Sequence, residues 1–399
     1  MVDVSLVFAS IGFVIVLGFV ANYFFKKTRI PDVIWLLALG LLVGPLTKTL
    51  ESSFLLPYAP YFAALATMII LFQGGIHTDL YTLIKQVPIS MFLAIGNVIG
   101  SMVLVSFFMN TFFGWSWIYG ALLGAIIGGT SSPIIISITS DLPLDQKTVA
   151  ILNLESTITD VLCFVVSMAI ISIILSGEAS LSVALNKIFG SFSIGAVIGF
   201  VMGIVWLFIM SKIYGKFEYM LTLAYLFLVY AFVENIMGSG AIAALVLGIV
   251  LGNAKDMSRI LKTKQPFRID GKIREFHEEI SFLVKSFFFV YLGILVNITS
   301  VSFIIIGVLI TLLLFGIRMF ITTISFLAVK LDKYDKRICM ILMSRGLAAA
   351  VLSQFPVTYG LNYGYWFVNL IFVVIVASIL FSTLGIALLK KDRKTLTRK

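Results

Sequence analysis

Glu155 and Asp160 stand inside a stretch that otherwise reads as a membrane-spanning helix. Leu152, Asn153 and Leu154 lead into Glu155, Ser156, Thr157, Ile158, Thr159 and Asp160, and the run continues through Val161, Leu162, Cys163, Phe164, Val165 and Val166. A carboxylate in hydrocarbon costs roughly 2.5–3.5 kcal/mol even on insertion scales, so it needs a partner, a cavity or a task. Ser156 and Asp160 are four apart and share one helix face. Glu155 and Thr159 form a second such pair, turned by about 100°. Asp160 can therefore face a cavity beside Ser156 while Glu155 turns toward a structural partner. Desolvation favours a carboxylate's neutral form, so one partly buried carboxylate can hold either a proton or a monovalent cation. Competition for a single group is the simplest physical basis for exchanging the two. Hydroxyls, together with carbonyls freed at a helix break, can replace part of an ion's hydration shell.

The elements that must position these residues are membrane helices. The chain has 399 residues, of which 60% are hydrophobic and only 12% charged, and its mean hydropathy is +1.10. Thirteen apolar runs, from 4–25 to 365–389, approach the about 20 residues that a spanning helix needs. The expected fold class is all-α: a polytopic membrane protein of about 13 transmembrane helices, with 1–399 forming one integral membrane domain. Met1, Val2, Asp3 and Val4 lack a basic leader, so the first run reads as a retained span. Cys163 and Cys339 both lie in apolar runs, which excludes a disulfide framework. His77 and His277 are far apart in sequence, which argues against zinc. No Walker loop or cofactor signature appears, so no cofactor is expected and an ATP-driven pump is disfavoured.

The net charge of +10 is distributed as topology. Threading the runs alternately puts Lys26, Lys27, Arg29, Lys85, Lys147, Lys212 and Lys216 on one side. The same side receives the basic connector 254–275, Lys330, Lys333, Lys336, Arg337 and the basic tail 390–399. The opposite loops hold only Lys48 and Lys187. By the positive-inside rule the amino terminus is outside, and the carboxyl terminus, connector and tail are cytoplasmic, in a multi-pass protein of the cell membrane. The basic excess serves topology and contact with the lipid bilayer, not nucleic acid.

Three basic residues remain within apolar runs: Lys285, Arg318 and Arg345. Three acids at membrane depth stand against them: Glu155, Asp160 and Glu234. Buried ions pair or neutralise. For Glu155 a structural ion pair with Arg318 is the better reading, whereas an intramembrane aspartate such as Asp160 is functional by default. Lys285 lies six residues beyond Glu279 and is expected to snorkel to the cytoplasmic face. Glu234 caps an entry path or simply faces water.

Two spans carry punctuation. The fifth, 116–139, is interrupted by Gly128, Gly129, Thr130, Ser131, Ser132 and Pro133. The twelfth, 336–358, carries Ser344, Arg345 and Gly346, then Ser353, Gln354, Phe355 and Pro356. Such spans in matching positions of two halves point to inverted repeats with two interrupted crossing helices. Close packing of small residues is the competing reading of Gly128 and Gly129.

With these residues the chain resembles the monovalent cation/proton antiporter superfamily, in its NhaP-like sodium/proton branch, over almost its whole length. Phe72, Gln73, Gly74, Gly75 and Ile76, followed by Asp79 and Leu80, are similar to that family's third-span ending. The break at 128–133 resembles its interrupted fifth span, and 155–160 its Glu-Ser-x-x-Asn-Asp signature. Gly238, Ser239, Gly240, Ala241 and Ile242, ending in Gly252 and Asn253, are similar to the ninth span. Phe287, Phe288, Phe289 and Gly293 are similar to the tenth, and Arg345, Gly346 and Leu347 to the twelfth. The resemblance implies that Asp160 binds the cation and the proton, supported by Ser156 and by a hydroxyl among Thr130, Ser131 and Ser132. It implies that Arg318 holds Glu155, that Arg345 stabilises the crossing, and that the protein is a homodimer with an elevator-like motion. Thr159 replaces the asparagine before the key aspartate, where electrogenic relatives carry a second aspartate, so electroneutral one-for-one exchange of Na⁺, or else K⁺, for H⁺ is expected. Ser132 replaces an aspartate, which bears on the choice of ion. A cation channel and a non-transporting sensor of the same fold are the alternatives.

Overall fold

The computed structural model describes residues 12, 15–16, 19–20, 31–47, 59–78, 80–131, 134–135, 139, 142–176, 181–212, 218–262, 271–296, 300–327 and 331–396. The expected first span lies almost wholly outside these residues, and so does Ser132. Every regular element among them is helical: α1 Asp32–Leu41, α2 Ala59–Ile76, α3 Leu80–Phe113, α4 Trp117–Ile126, α5 Gln146–Ser176, α6 Leu181–Met210, α7 Glu218–Asn235, α8 Gly240–Gly252, α9 Ala254–Ile260, α10 Gly271–Leu295, α11 Val301–Ser325, α12 Lys333–Ile341, α13 Leu347–Leu352, α14 Phe355–Thr358 and α15 Gly364–Leu396.

Among the described residues, five stretches are long and apolar enough to cross a membrane: Pro88–Phe113, Gln146–Ser176, Phe189–Met210, Val301–Ser325 and Gly364–Leu389. The pair α8 and α9, bent by 80°, makes a sixth if the two are counted as one span. Thirteen apolar runs give fewer unbroken helices partly because two of them unwind. The run at 116–139 stops being helical at Ile126, ahead of Gly128 and Gly129, and 342–346 separates α12 from α13.

The chain forms two compact units. The first comprises Met1–Pro60, Gln86–Ser167 and Lys285–Lys399, the second Tyr61–Lys85 and Met168–Val284.

In the first unit α11 packs along α15, which also supports α12, α13 and α14. Leu93, Ile151, Leu152, Ile338, Cys339, Leu342 and Ile386 form one buried cluster drawn from α3, α5, α12, α15 and the residue after α12. Elsewhere α1 meets α10 with almost no side chain between them: a Cβ on Gly40 would lie 2.8 Å from the Gly293 Cα, and the reverse holds for Gly293. Small residues permit that approach in a bilayer, where packing rather than hydrophobicity drives association. Beyond Gly40 the helix widens into a π turn, Leu42–Leu46, around Pro45, which has no N–H to donate. Toward the other end of this contact Lys285 Nζ pairs with Asp32 Oδ2 at 2.5 Å. The expected snorkel is thus replaced by an ion pair inside the unit.

In the second unit Gly195, Gly199 and Gly203 make a small-residue face of α6, against which Ser239, Ala243 and Val250 lie. Gly75 of α2 packs on α8, and Gly248 and Gly252 return the contact at Phe72 and Ile76. Asn253 then donates to the carbonyls of Thr78 (2.7 Å) and Ile249 (2.8 Å). Two motifs distant in sequence are therefore a single joint. Glu234 accepts from the Gly240 N–H at 2.8 Å, so this acid caps α8. His77 is exposed and its Nε2 lies 3.1 Å from Glu278 Oε1, whereas His277 is buried edge-on to Phe72.

Candidate ion site at two crossed helix breaks

The site lies wholly in the first unit. Its first component is the unwound stretch after α4. A Cβ on Gly128 would lie 3.0 Å from the Val98 Cα of α3, and one on Gly129 would lie 2.8 Å from the Cys163 sulfur of α5. Glycine here lets bare backbone lie against both helices. Unwinding frees peptide groups that hydrocarbon cannot satisfy, so side chains must do it. Thr159 Oγ1 accepts from the Thr130 N–H at 3.1 Å and donates to the Ser156 carbonyl at 2.9 Å. Ser156 Oγ donates to the Thr130 carbonyl at 3.2 Å. Both ends of the flanking peptide units of Thr130 are thus held by α5.

Thr159→Val keeps the shape and removes the acceptor. The Thr130 N–H is then left buried and unpaired, at a cost of about 1–3 kcal/mol. The expected result is a clear loss of thermal stability in detergent, while Thr159→Ser, which retains the oxygen, behaves as the native protein.

The second component is the stretch 342–346 between α12 and α13. The Ser131 N–H donates to the Ser344 carbonyl at 2.9 Å, joining one break to the other. Arg345 sends its guanidinium to the Gly129 carbonyl. From α15, Ser378 Oγ accepts from the Arg345 N–H at 3.0 Å, and Ser382 Oγ accepts from the Met343 N–H at 3.3 Å while donating to the Ile341 carbonyl. Ser378 and Ser382 are four apart and share one face of an apolar span, but nothing in the sequence says which helix that face meets.

Beneath the crossing, Glu155 and Arg318 form a two-pronged ion pair, with Nη2 to Oε2 at 2.9 Å. Asn97 Nδ2 donates to the same carboxylate at 3.1 Å, and Arg318 Nε donates to the Cys339 carbonyl at 2.8 Å. Glu155 is fully buried and Arg318 nearly so. Such a pair is kept only where further hydrogen bonds complete it, as they do here.

Asp160 is half-buried, one turn beyond Ser156 on α5. Cys163, three residues further along α5, lies with its sulfur against Gly129. The structure therefore gathers Thr130, Ser131, Glu155, Ser156, Thr159, Asp160, Arg318 and Arg345 around one crossing. Ser132 lies outside the described residues. Two acids and two guanidiniums balance, and unwound backbone with hydroxyls supplies the neutral oxygens that suit a small cation.

The sequence matches the family described as "Sodium/hydrogen exchanger, transmembrane" over residues 12–391. It is 23% identical over 391 residues to the K(+)/H(+) antiporter NhaP of Alkalimonas amylolytica, a match that covers 95% of this chain and 65% of that protein. It is 25% identical over 370 residues to the K(+)/H(+) antiporter NhaP2 of Shewanella sp. strain ANA-3, covering 89% and 61%. The chain thus spans less than two thirds of the length of these curated relatives. Its fold is similar to that of the sodium proton antiporter MjNhaP1 from Methanocaldococcus jannaschii at pH 8, with a TM-score of 0.77, 21% identity and 95% of each chain covered. With apolar helices long enough for a multi-pass membrane protein, two helix breaks in contact and a family match over nearly its full length, this chain belongs to the transmembrane sodium/hydrogen exchanger family.

Proposed function

We propose that the protein is a secondary antiporter that exchanges a monovalent cation, Na⁺ first and K⁺ second, for H⁺ by alternating access at Asp160. The observation that carries this reading is the meeting of two unwound stretches, tied by the Ser131–Ser344 hydrogen bond, at the α5 segment that bears Asp160. Thr130, Ser131 and Ser132 with Ser156 supply neutral oxygens, and Asp160 supplies the charge. Glu155 with Arg318, Thr159 and Arg345 hold the frame.

The charge balance supports one-for-one electroneutral exchange. Arg318 offsets Glu155, and Arg345 offsets the ionised Asp160. A proton or a monovalent cation on Asp160 adds the same single charge, so neither return step differs in charge from the other. A second titrating carboxylate at position 159 would alter that sum, and Thr159 cannot titrate. Because proton and cation compete for one group, acidification raises the cation concentration needed for half-maximal rate.

The basic asymmetry of the loops supports an outside amino terminus, a cytoplasmic connector at 254–275 and a cytoplasmic tail at 390–399. About thirteen spans in inverted repeats, and a homodimer, complete the reading; the dimer rests on resemblance to the family.

The test uses purified protein in proteoliposomes with a trapped pH-reporting dye and an imposed proton gradient, to which Na⁺, K⁺ or Li⁺ is added in turn. Antiport gives saturable, cation-driven dissipation whose rate is the same with the membrane potential clamped or free. Dissipation that carries current and does not saturate would instead mark a channel. A gradient that survives every cation would leave a non-transporting sensor.

A further inference from the structure

We propose that Asp335 is a positioning residue for the ion site: it splints the first half of the broken helix to the base of α5 and so sets where the two breaks cross. The inference deepens the exchange reading above and rests on it for its kinetic arm.

Asp335 sits on α12 and is 4% exposed. Its Oδ2 accepts from the hydroxyl of Thr148 at 2.7 Å and from the backbone N–H of Asp145 at 3.1 Å. Thr148 is itself fully buried, in the first turn of α5. The amino-terminal amides of a helix lack intrahelical partners and favour negative charge, so a carboxylate is well matched to this place. The ordinary cap is also present, since Asp145, just before the helix, accepts from the Lys147 N–H at 3.2 Å. Asp335, 187 positions from Thr148, fastens that capped turn to the helix that carries the other break.

A second fastening lies one turn further along α12. The Cys339 carbonyl accepts from Arg318, and Arg318 grips Glu155, two turns up α5 from Thr148. So α12 is tied to α5 directly at Thr148 and through Arg318 at Glu155. Between the two ties, Ile338 and Cys339 pack with Ile151 and Leu152 in one buried cluster. From Cys339 only Met340 and Ile341 remain before α12 ends, and one turn from Glu155 leads to Thr159. The register of α12 on α5 therefore decides whether the Ser344 carbonyl meets the Ser131 amide, and where Arg345 meets Gly129. Asp335 touches no ion; it acts through the crossing.

The test compares the full chain with Asp335→Ala, Asp335→Asn and Thr148→Val, reading hydrogen–deuterium exchange over 127–131 and 342–346 and cation-dependent kinetics in proteoliposomes. Asp335→Ala is expected to speed exchange in both segments and to raise the apparent KM for the cation about tenfold or more, with the maximal rate largely kept. Asp335→Asn keeps an oxygen for both donors and should restore protection and KM. Thr148→Val should reproduce part of the defect and add little to Asp335→Ala. A simple cap would instead lower the unfolding temperature and leave the protection of the breaks and KM native; that result overturns the inference, as does a folded Asp335→Asn that fails to rescue. If the native protein moves no cation, the exchange reading fails by itself. The exchange data then decide the splint: protection lost in Ala and kept in Asn upholds it, and protection kept in Ala overturns it.

Discussion

Arg318→Ala will destabilise the protein by about 3–5 kcal/mol, the usual cost of breaking a buried ion pair by removing one partner. Glu155 would lose its counter-ion while wholly buried, with Asn97 left to donate to it. The Cys339 carbonyl would lose its Arg318 hydrogen bond as well. Removing both charges together is a different matter. Glu155→Leu with Arg318→Met replaces the pair by apolar groups of similar volume, which is often neutral in buried sites. The double variant should therefore melt closer to the native protein than either single variant. Fluorescence-detected melting of purified protein in detergent reads this directly. A single variant that melts like the native protein would show that the pair is not a structural member.

Gly346→Ala should cost about tenfold or more in exchange rate, equivalent to about 1.4 kcal/mol on the barrier. The reason is space. A Cβ at Gly346 would fall on the side chain of Ser131, at the point where the two breaks touch. Neither backbone can yield without loosening the Ser131–Ser344 bond. Overpacking of this kind is destabilising even where the added group is a single methyl. Gly316→Ala is the matched control, because a Cβ there meets nothing within 4 Å. The control should transport normally. Equal rates for the two variants would mean that the crossing tolerates displacement and does not set the geometry of transport.

The parts of this site that could be read in the sequence were those carried by local pattern. A charged residue in an apolar run, two pairs four apart on one helix, and glycine-rich punctuation are all visible within a few residues. The pairing of Glu155 with Arg318 could be reasoned from charge balance alone. Partners on distant, otherwise apolar helices were not legible. Asn97, Ser378 and Ser382 each hold part of the frame, yet each looks like an incidental polar residue on its own span. Lys285 was expected to snorkel because it lies six residues beyond Glu279; its partner, Asp32, is 253 positions away. Helical periodicity says which face a residue occupies; it does not say which other helix that face will meet. The break at Gly128 was visible as glycine-rich punctuation, whereas the partners that hold its freed peptide groups were not.

The central claim is that one carboxylate serves both ions, and the most direct test compares native protein with Asp160→Asn. The substitution keeps size and polarity and removes the charge that a proton and a cation would share. Both proteins are reconstituted at equal density, and cation-driven loss of an imposed proton gradient is measured. The account predicts saturable dissipation in the native protein that vanishes in Asp160→Asn, while the variant melts like the native protein. Dissipation that persists undiminished in a correctly folded Asp160→Asn would contradict it.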